Sequence, residues 1–428
     1  SPSLSVVEAH TQGADRVETA ALPTETNALG AATIVATSGT SRTSLVAVST
    51  SGSSRTESVG TASPYVSAGP ASNSGLGINP ERPTHWSTDW SLINSFPISS
   101  GWATECWPGE LGCEGFANGA SAGNTKELSK LELDANGWVK RLPAANDSSV
   151  KFRRVWTVLF QGDGGSRMPG RYVVRYEGQG TLVHDGAGKK VAAESKPGRE
   201  IVEVSNANEN GWIMRLTATN PSDYIRNIKV IGPGGVCSNA PFVHVPSASS
   251  CTTGSYKSLE ELSSTQTFHP AYLGDLKGFR TLRLMQWSDT ITSKLASWNA
   301  RTKVTGAFWN TGDGMPYETM FDLAATLGAD PWVNVTSYVD DDFVRQLARM
   351  AKATVKAPNV VYFEYGNEPW NNAEPYGRAG AYYETKAKAK WPNANVNVWQ
   401  LRMNWYAYRS VQLCNIMKAE FGDQASRV

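Results

Sequence analysis

Histidine and cysteine are scarce, five of each in 428 residues, and that scarcity excludes much chemistry. His10, His85, His184, His244 and His269 are too scattered for the short ligand spacings of a zinc site, so no metal is expected. Among so many serines, five histidines pick out no Ser-His-Asp set. No cofactor is called for, and the scattered Asp and Asn residues name no Ca²⁺ ligand set. An excess of one charge is missing as well. Lys plus Arg number 40 against 39 Asp plus Glu, a formal +1, which lacks the footprint of a nucleic-acid binder or a membrane-surface protein. No run of about 18 apolar residues occurs, so no membrane-spanning helix is expected. The sequence opens at Ser1 without Met or a leader-like apolar stretch, which fits either a chain whose signal peptide has been removed or a fragment.

What is present points outside the cell. Only 18% of residues are charged, while 15 Trp and 15 Tyr raise the aromatics to 10%. Such a mix suits a Ser/Gly-rich secreted protein whose surface meets sugars. Cys106 and Cys113 flank a turn-prone Trp-Pro-Gly-Glu-Leu-Gly stretch, and Cys237 and Cys251 flank a Pro/Ser-rich loop. Two local disulfides are the simplest pairing in an oxidising compartment. Cys414 is left over in a helical run and reads as a buried thiol. Asn146-Asp-Ser148 and Asn334-Val-Thr336 are glycosylation sequons.

Composition and periodicity divide the chain into three. Residues 1–76 are about one-third Ser and Thr, with Tyr65 the only aromatic, and cannot bury a core alone. Within them Ala31–Thr37 and Ser44–Thr50 carry enough β-branched residues for strands, which would add to the sheet of a partner surface. Residues 77–250 show short strand-like runs separated by turn signals roughly every 8–15 residues, the pattern of a β-sandwich, whether jelly-roll or immunoglobulin-like. Alternation of Tyr172, Val174 and Tyr176 with Arg171, Val173 and Arg175 suits a half-buried antiparallel strand. Over 251–428 the period changes. Strands are expected at Phe279–Trp287, Val304–Trp309, Pro331–Val335 and Asn359–Gly366, and helices at Pro316–Leu327, Asp340–Val355 and Val398–Phe421, the βα alternation of a parallel sheet. The fold class is therefore multidomain, a β-sandwich followed by an α/β, partial TIM-barrel-like domain.

Chemistry concentrates in Val361-Tyr-Phe-Glu-Tyr-Gly-Asn-Glu-Pro-Trp-Asn-Asn372. The fourth expected strand ends here in Asn367-Glu368, and the carboxyl ends of barrel strands are where such folds collect functional groups. This segment, with the βα units before it, resembles the retaining (β/α)8 glycoside hydrolases, the clan of cellulases, mannanases and β-glycosidases, over residues 255–428. The resemblance implies that Glu368 is the general acid/base and that Asn367 holds the sugar 2-hydroxyl. It implies retaining cleavage of a β-linked polysaccharide. One carboxylic acid protonates the leaving oxygen while a second carboxylate, about 5 Å away, attacks the anomeric carbon. That nucleophile ends the clan's seventh strand. No residue after Glu368 matches it, since Glu374, Glu384 and Glu420 fall in expected loop or helix.

Other residues carry two readings each. Trp287, Trp309 and Trp370 lie at or just after strand ends, which suits a sugar-stacking platform or core packing. Asn310 and Asn334 suit hydrogen bonding to sugar or loop capping, and a glycan on Asn334 would obstruct the mouth. Glu364 shares strand parity with Glu368 and is expected to pair with Arg283 as a structural ion pair. The leading expectation is a secreted glycoside-hydrolase-like protein whose partner is a polysaccharide or glycan. The rivals are an extracellular structural or adhesive subunit that self-assembles through residues 1–76, and a sugar-binding protein that does not cut.

Overall fold

The computed structural model describes residues 75–111, 123–162, 168–205, 211–310 and 312–428, together with the backbone of residues 44–47. Ala31–Thr37 and Cys113 lie outside the described residues. The architecture is mixed α/β, built from several sheets.

Alternating apolar residues make the central part. One antiparallel sheet has the order Gly123–Asn124, Ala103–Cys106, Arg154–Leu159, Trp212–Thr219, Gly180–Gly186. A second has the order Gly188–Lys190, Arg199–Val204, Gly170–Glu177, Arg226–Ile231. Because side chains alternate across a strand, Tyr172 and Val174 are buried while Arg171 and Arg175 face water. Leu159, Leu182, Trp212 and Met214 from the first sheet share one apolar cluster with Tyr172, Val174, Val202 and Val230 from the second. Trp212 demands glycine beside it: a Cβ at Gly188 would sit 2.5 Å from the indole. A smaller sheet, Ala240–Val245 with Gly235–Cys237 and Tyr256–Ser258, is closed by the Cys237–Cys251 disulfide. Cys106 is also disulfide-bonded, and Cys414 is a half-buried free thiol.

Apart from a two-stranded ribbon, Glu132–Leu133 with Val139–Arg141, the last sheet is parallel over four strands, Leu76–Asn79, Thr281–Arg283, Asp330–Val335 and Tyr362–Tyr365. Helices Tyr317–Leu327 and Asp341–Thr354 make the crossovers and bury Met320, Phe321, Phe343 and Leu347 in a core with Leu282, Val333 and Val335. Two of the long helices start on a side-chain cap, Asp340 accepting from the Phe343 amide (2.7 Å) and Asn397 from the Gln400 amide (2.8 Å). Asp341 and Asp342 follow in the first turn, where the helix dipole favours them. Val398–Phe421 is one helix, as its pattern predicts, and Gly377–Lys390 precedes it.

Two expectations change. Val304–Trp309 forms no strand. It is a looped segment whose Ala307 and Trp309 amides donate to Asn136 and Pro97 carbonyls across the molecule, and whose Ala307 and Phe308 pack with the antiparallel cluster. The missing member of the parallel sheet is instead Leu76–Asn79, from the start of the presumed sandwich region. Ser44–Ala47 does form a strand, and it pairs antiparallel with Leu76–Asn79 of its own chain. That pairing covers one sheet edge. Among the described residues Tyr362–Tyr365 is the last strand of this sheet, with no further strand beyond it.

Candidate functional site

The Tyr362–Tyr365 strand ends abruptly. The Gly366 amide makes a last rung to the Val335 carbonyl (2.8 Å), and Gly366 itself turns at φ +70°. A Cβ there would lie 2.6 Å from the Tyr383 hydroxyl, so both conformation and space require glycine. Two residues on, Glu368 sits at φ +46°, a left-handed conformation rare for a long side chain and costing on the order of 1–3 kcal/mol. Asn371 holds it in place. Its backbone amide donates to the Glu368 carbonyl (3.0 Å) and its side-chain amide to Glu368 Oε2 (2.9 Å). Glu368 is thus turned out of the strand direction and half-buried at the carboxyl end of a parallel sheet.

Glu364, one turn of the pleat earlier, is locked by its neighbours. Arg283 Nη2 donates to both its oxygens (3.0 and 3.1 Å), Arg283 Nε to Oε2 (3.2 Å) and Trp332 Nε1 to Oε2 (2.8 Å). The strand register explains this, since Arg283 pairs with Trp332 and Asn334 with Glu364 across adjacent strands. Arg283 Nη2 also reaches Asn367 Oδ1 (2.9 Å). With its oxygen taken, Asn367 has a buried Nδ2 that finds no acceptor among the described residues. Asn334 is complementary: Nδ2 donates to the Gly366 carbonyl (3.2 Å) and the buried Oδ1 has no donor. One spare donor, on the residue before Glu368, and one spare acceptor, on Asn334, therefore lie buried at this end of the sheet.

Tyrosines close the floor. Tyr365 donates to the Ser337 carbonyl (2.6 Å), Ser337 and Tyr383 hydroxyls bond at 2.6 Å, and Tyr365 stacks on Tyr406 with centroids 5.7 Å apart. Burial, with the Glu364 charge beside it, pushes the Tyr406 hydroxyl up to about 12. Burial likewise raises Tyr365 and Tyr383, so these phenols act as hydrogen-bond donors and not as bases.

The structure brings Glu368, Asn367, Asn334, Glu364 and Arg283 together and leaves other candidates elsewhere. Trp287 is fully buried, its indole donating to the Glu81 carbonyl (3.1 Å), so it is core and offers no face to a sugar. Asn310 spends its amide on the Ile98 and Ser99 carbonyls (3.0 and 2.9 Å), the capping role. Trp370, 58% exposed, stays available beside Glu368. Asn334 is buried with the nitrogen that would carry a glycan already bonded, which leaves no room for one in the folded chain. Asn146 is exposed in a turn. Trp332, Asn371 and Tyr406 were not anticipated. Asn371 had a signal, an Asn three residues after Glu368 in a Pro-containing turn, whereas Trp332 emerges only from cross-strand register. No metal-ligating cluster occurs among the described residues, and no helix there is long and apolar enough to cross a membrane. Comparison with protein-family models, curated proteins and solved structures finds no match.

Proposed function

We propose that this chain carries the acid/base half of a retaining glycoside-hydrolase centre acting on β-linked polysaccharide outside the cell, with Glu368 as general acid/base and Asn367 as the ligand of the sugar 2-hydroxyl. In this reading the facing antiparallel sheets are a β-sandwich module, and the parallel sheet is the first four strands of a (β/α)8 domain. The observation that carries it is Glu368 itself: a strained carboxylate held by Asn371 at the carboxyl end of the fourth parallel strand, beside a spare Asn367 donor. Strain of this kind clusters at functional sites, and of the described non-glycine residues in this conformation only Glu368 lies at the end of a parallel strand. Glu364 is read as a structural anion, since Arg283 and Trp332 together donate three hydrogen bonds to Oε2 and one to Oε1. The second carboxylate has no counterpart in residues 369–428.

Reducing-end release from β-glucan and β-mannan tests the reading. In a preparation that releases reducing ends, with the second carboxylate present, Glu368→Gln should lower turnover by roughly 10²–10⁴-fold, the usual worth of general acid/base catalysis, with the fold intact. Turnover retained in that variant would overturn the assignment. A non-cutting saccharide-binding protein is the second reading, favoured by the locked state of Glu364, and saturable binding without release of reducing ends by the native protein would select it.

A further inference from the structure

A cleft of about 520 Å³ lies between the antiparallel sheets and the parallel domain, walled by the Ser263–Thr267 run, the Val304–Trp309 loop and Trp138. Its size falls within the range of small-molecule sites, about 300–1,000 Å³. Two indoles line it, and the Nε1 hydrogen of each is buried without an acceptor among the described residues, at Trp138, which is 5% exposed, and at Trp309. An unpaired buried donor costs on the order of 1–3 kcal/mol, which a ligand oxygen would recover. The opposite wall offers the reverse. Ser263, Ser264 and Thr265 spend their hydroxyl hydrogens on carbonyls of residues 260–262, so their oxygens keep accepting capacity.

The cleft therefore asks for a ligand that accepts from indoles and donates to hydroxyl oxygens. Glu177 and Lys229 both line it and balance in formal charge, so nothing selects an anion or a cation. The half-buried Trp309 ring supplies an apolar face on which sugar C–H groups pack, while Trp138, stacked on Phe96, contributes only its edge. We infer that this cleft is a binding site for a neutral saccharide, separate from Glu368. The loop that builds one wall is pinned for the purpose by the Ala307 and Trp309 amides, which donate to the Asn136 and Pro97 carbonyls (2.8 and 2.7 Å). This inference goes beyond the reading of Glu368 and does not depend on it.

Titration calorimetry of the whole chain against cello-, manno- and xylotetraose, repeated in the Glu368→Gln background, tests it. At least one tetrasaccharide should bind saturably with the same affinity in both backgrounds. Trp138→Phe and Trp309→Phe keep an aromatic ring but remove the Nε1 donor together with part of the indole's area, so each should weaken binding roughly 2–10-fold. Ser264→Trp, at an exposed position on the rim, should block binding without disturbing the core. Absence of saturable binding by all three probes would overturn the inference. So would binding that survives both indole variants and Ser264→Trp, or binding lost in Glu368→Gln alone, which would place the sugar at the other site.

Discussion

Two buried polar clusters in this molecule are built on opposite plans. In the antiparallel sheets every member of the His184 cluster has a partner: the Trp212 indole donates to His184 Nδ1 (3.1 Å), which fixes Nε2 as the donor to Glu200 Oε2 (2.8 Å), while Lys190 and Tyr176 donate to Glu200 Oε1 (2.6 and 3.2 Å). At the end of the parallel sheet the count does not close. Asn367 Nδ2 and Asn334 Oδ1 are left over, and Glu368 holds a strained backbone. A closed network returns its desolvation cost within the fold, whereas an open one leaves that return to a ligand. The comparison separates a cluster whose polar atoms are all partnered from one that keeps two atoms to spare.

Breaking the closed cluster should have the largest effect. Glu200→Ala strips the acceptor from His184 and Lys190 together, and removal of one partner from a buried charged cluster costs about 3–5 kcal/mol. Urea denaturation followed by Trp fluorescence measures it, and a loss below about 1 kcal/mol would show that the cluster is not structural. The same residue predicts a pH dependence. Burial alone would push the Glu200 carboxyl up, but the hydrogen bonds from His184 and Lys190 outweigh it and hold the group below the ordinary glutamate range. Its stabilisation is then fully present above the unfolded value of about 4.3 and is lost as pH falls through the lower folded value. Glu200→Gln should flatten that acid limb of the stability curve.

Gly366 sharpens the comparison from the other side. Gly366→Ala keeps every site residue but forces a Cβ into φ +70° and against the Tyr383 hydroxyl. A loss of about 1–3 kcal/mol is expected, accompanied by loss of function, because the turn that presents Asn367 and Glu368 would shift. An unchanged melting temperature would show that the turn relaxes freely.

How much of this was legible beforehand follows from how local each signal is. Val398–Phe421 was readable to the residue, because a helix-favouring run closed by a Gly stop is a local pattern. The Arg283–Glu364 pair was readable from strand parity alone. Leu76–Asn79 was not: four residues after a Ser-rich stretch carry no sign of a partner two hundred positions away. Val304–Trp309 misled because its apolar residues serve packing between sheets, a purpose that gives no period. Gly377–Lys390 went unread although its Ala, Lys and Glu content favours helix, since it begins without a side-chain cap. At the site, the sequence motif located Glu368 and Asn367, while their environment depended on register between strands far apart in sequence.

The smallest effect on stability should come from Asn334, and it is the most discriminating. Its side chain makes one hydrogen bond, to the Gly366 carbonyl, worth about 0.5–1.5 kcal/mol, yet buries an unpartnered Oδ1 whose desolvation costs about 1–3 kcal/mol. Replacing it by Ala removes both, and the two contributions nearly cancel apart from the small void left behind. Asn334→Ala should therefore melt within a few degrees of the native protein while losing saccharide binding at the Glu368 site, read by calorimetry in the Ser264→Trp background, where the other cleft is blocked. A strongly destabilised variant would mean that Oδ1 has a partner in the folded chain, and the open cluster would then be structural like the closed one.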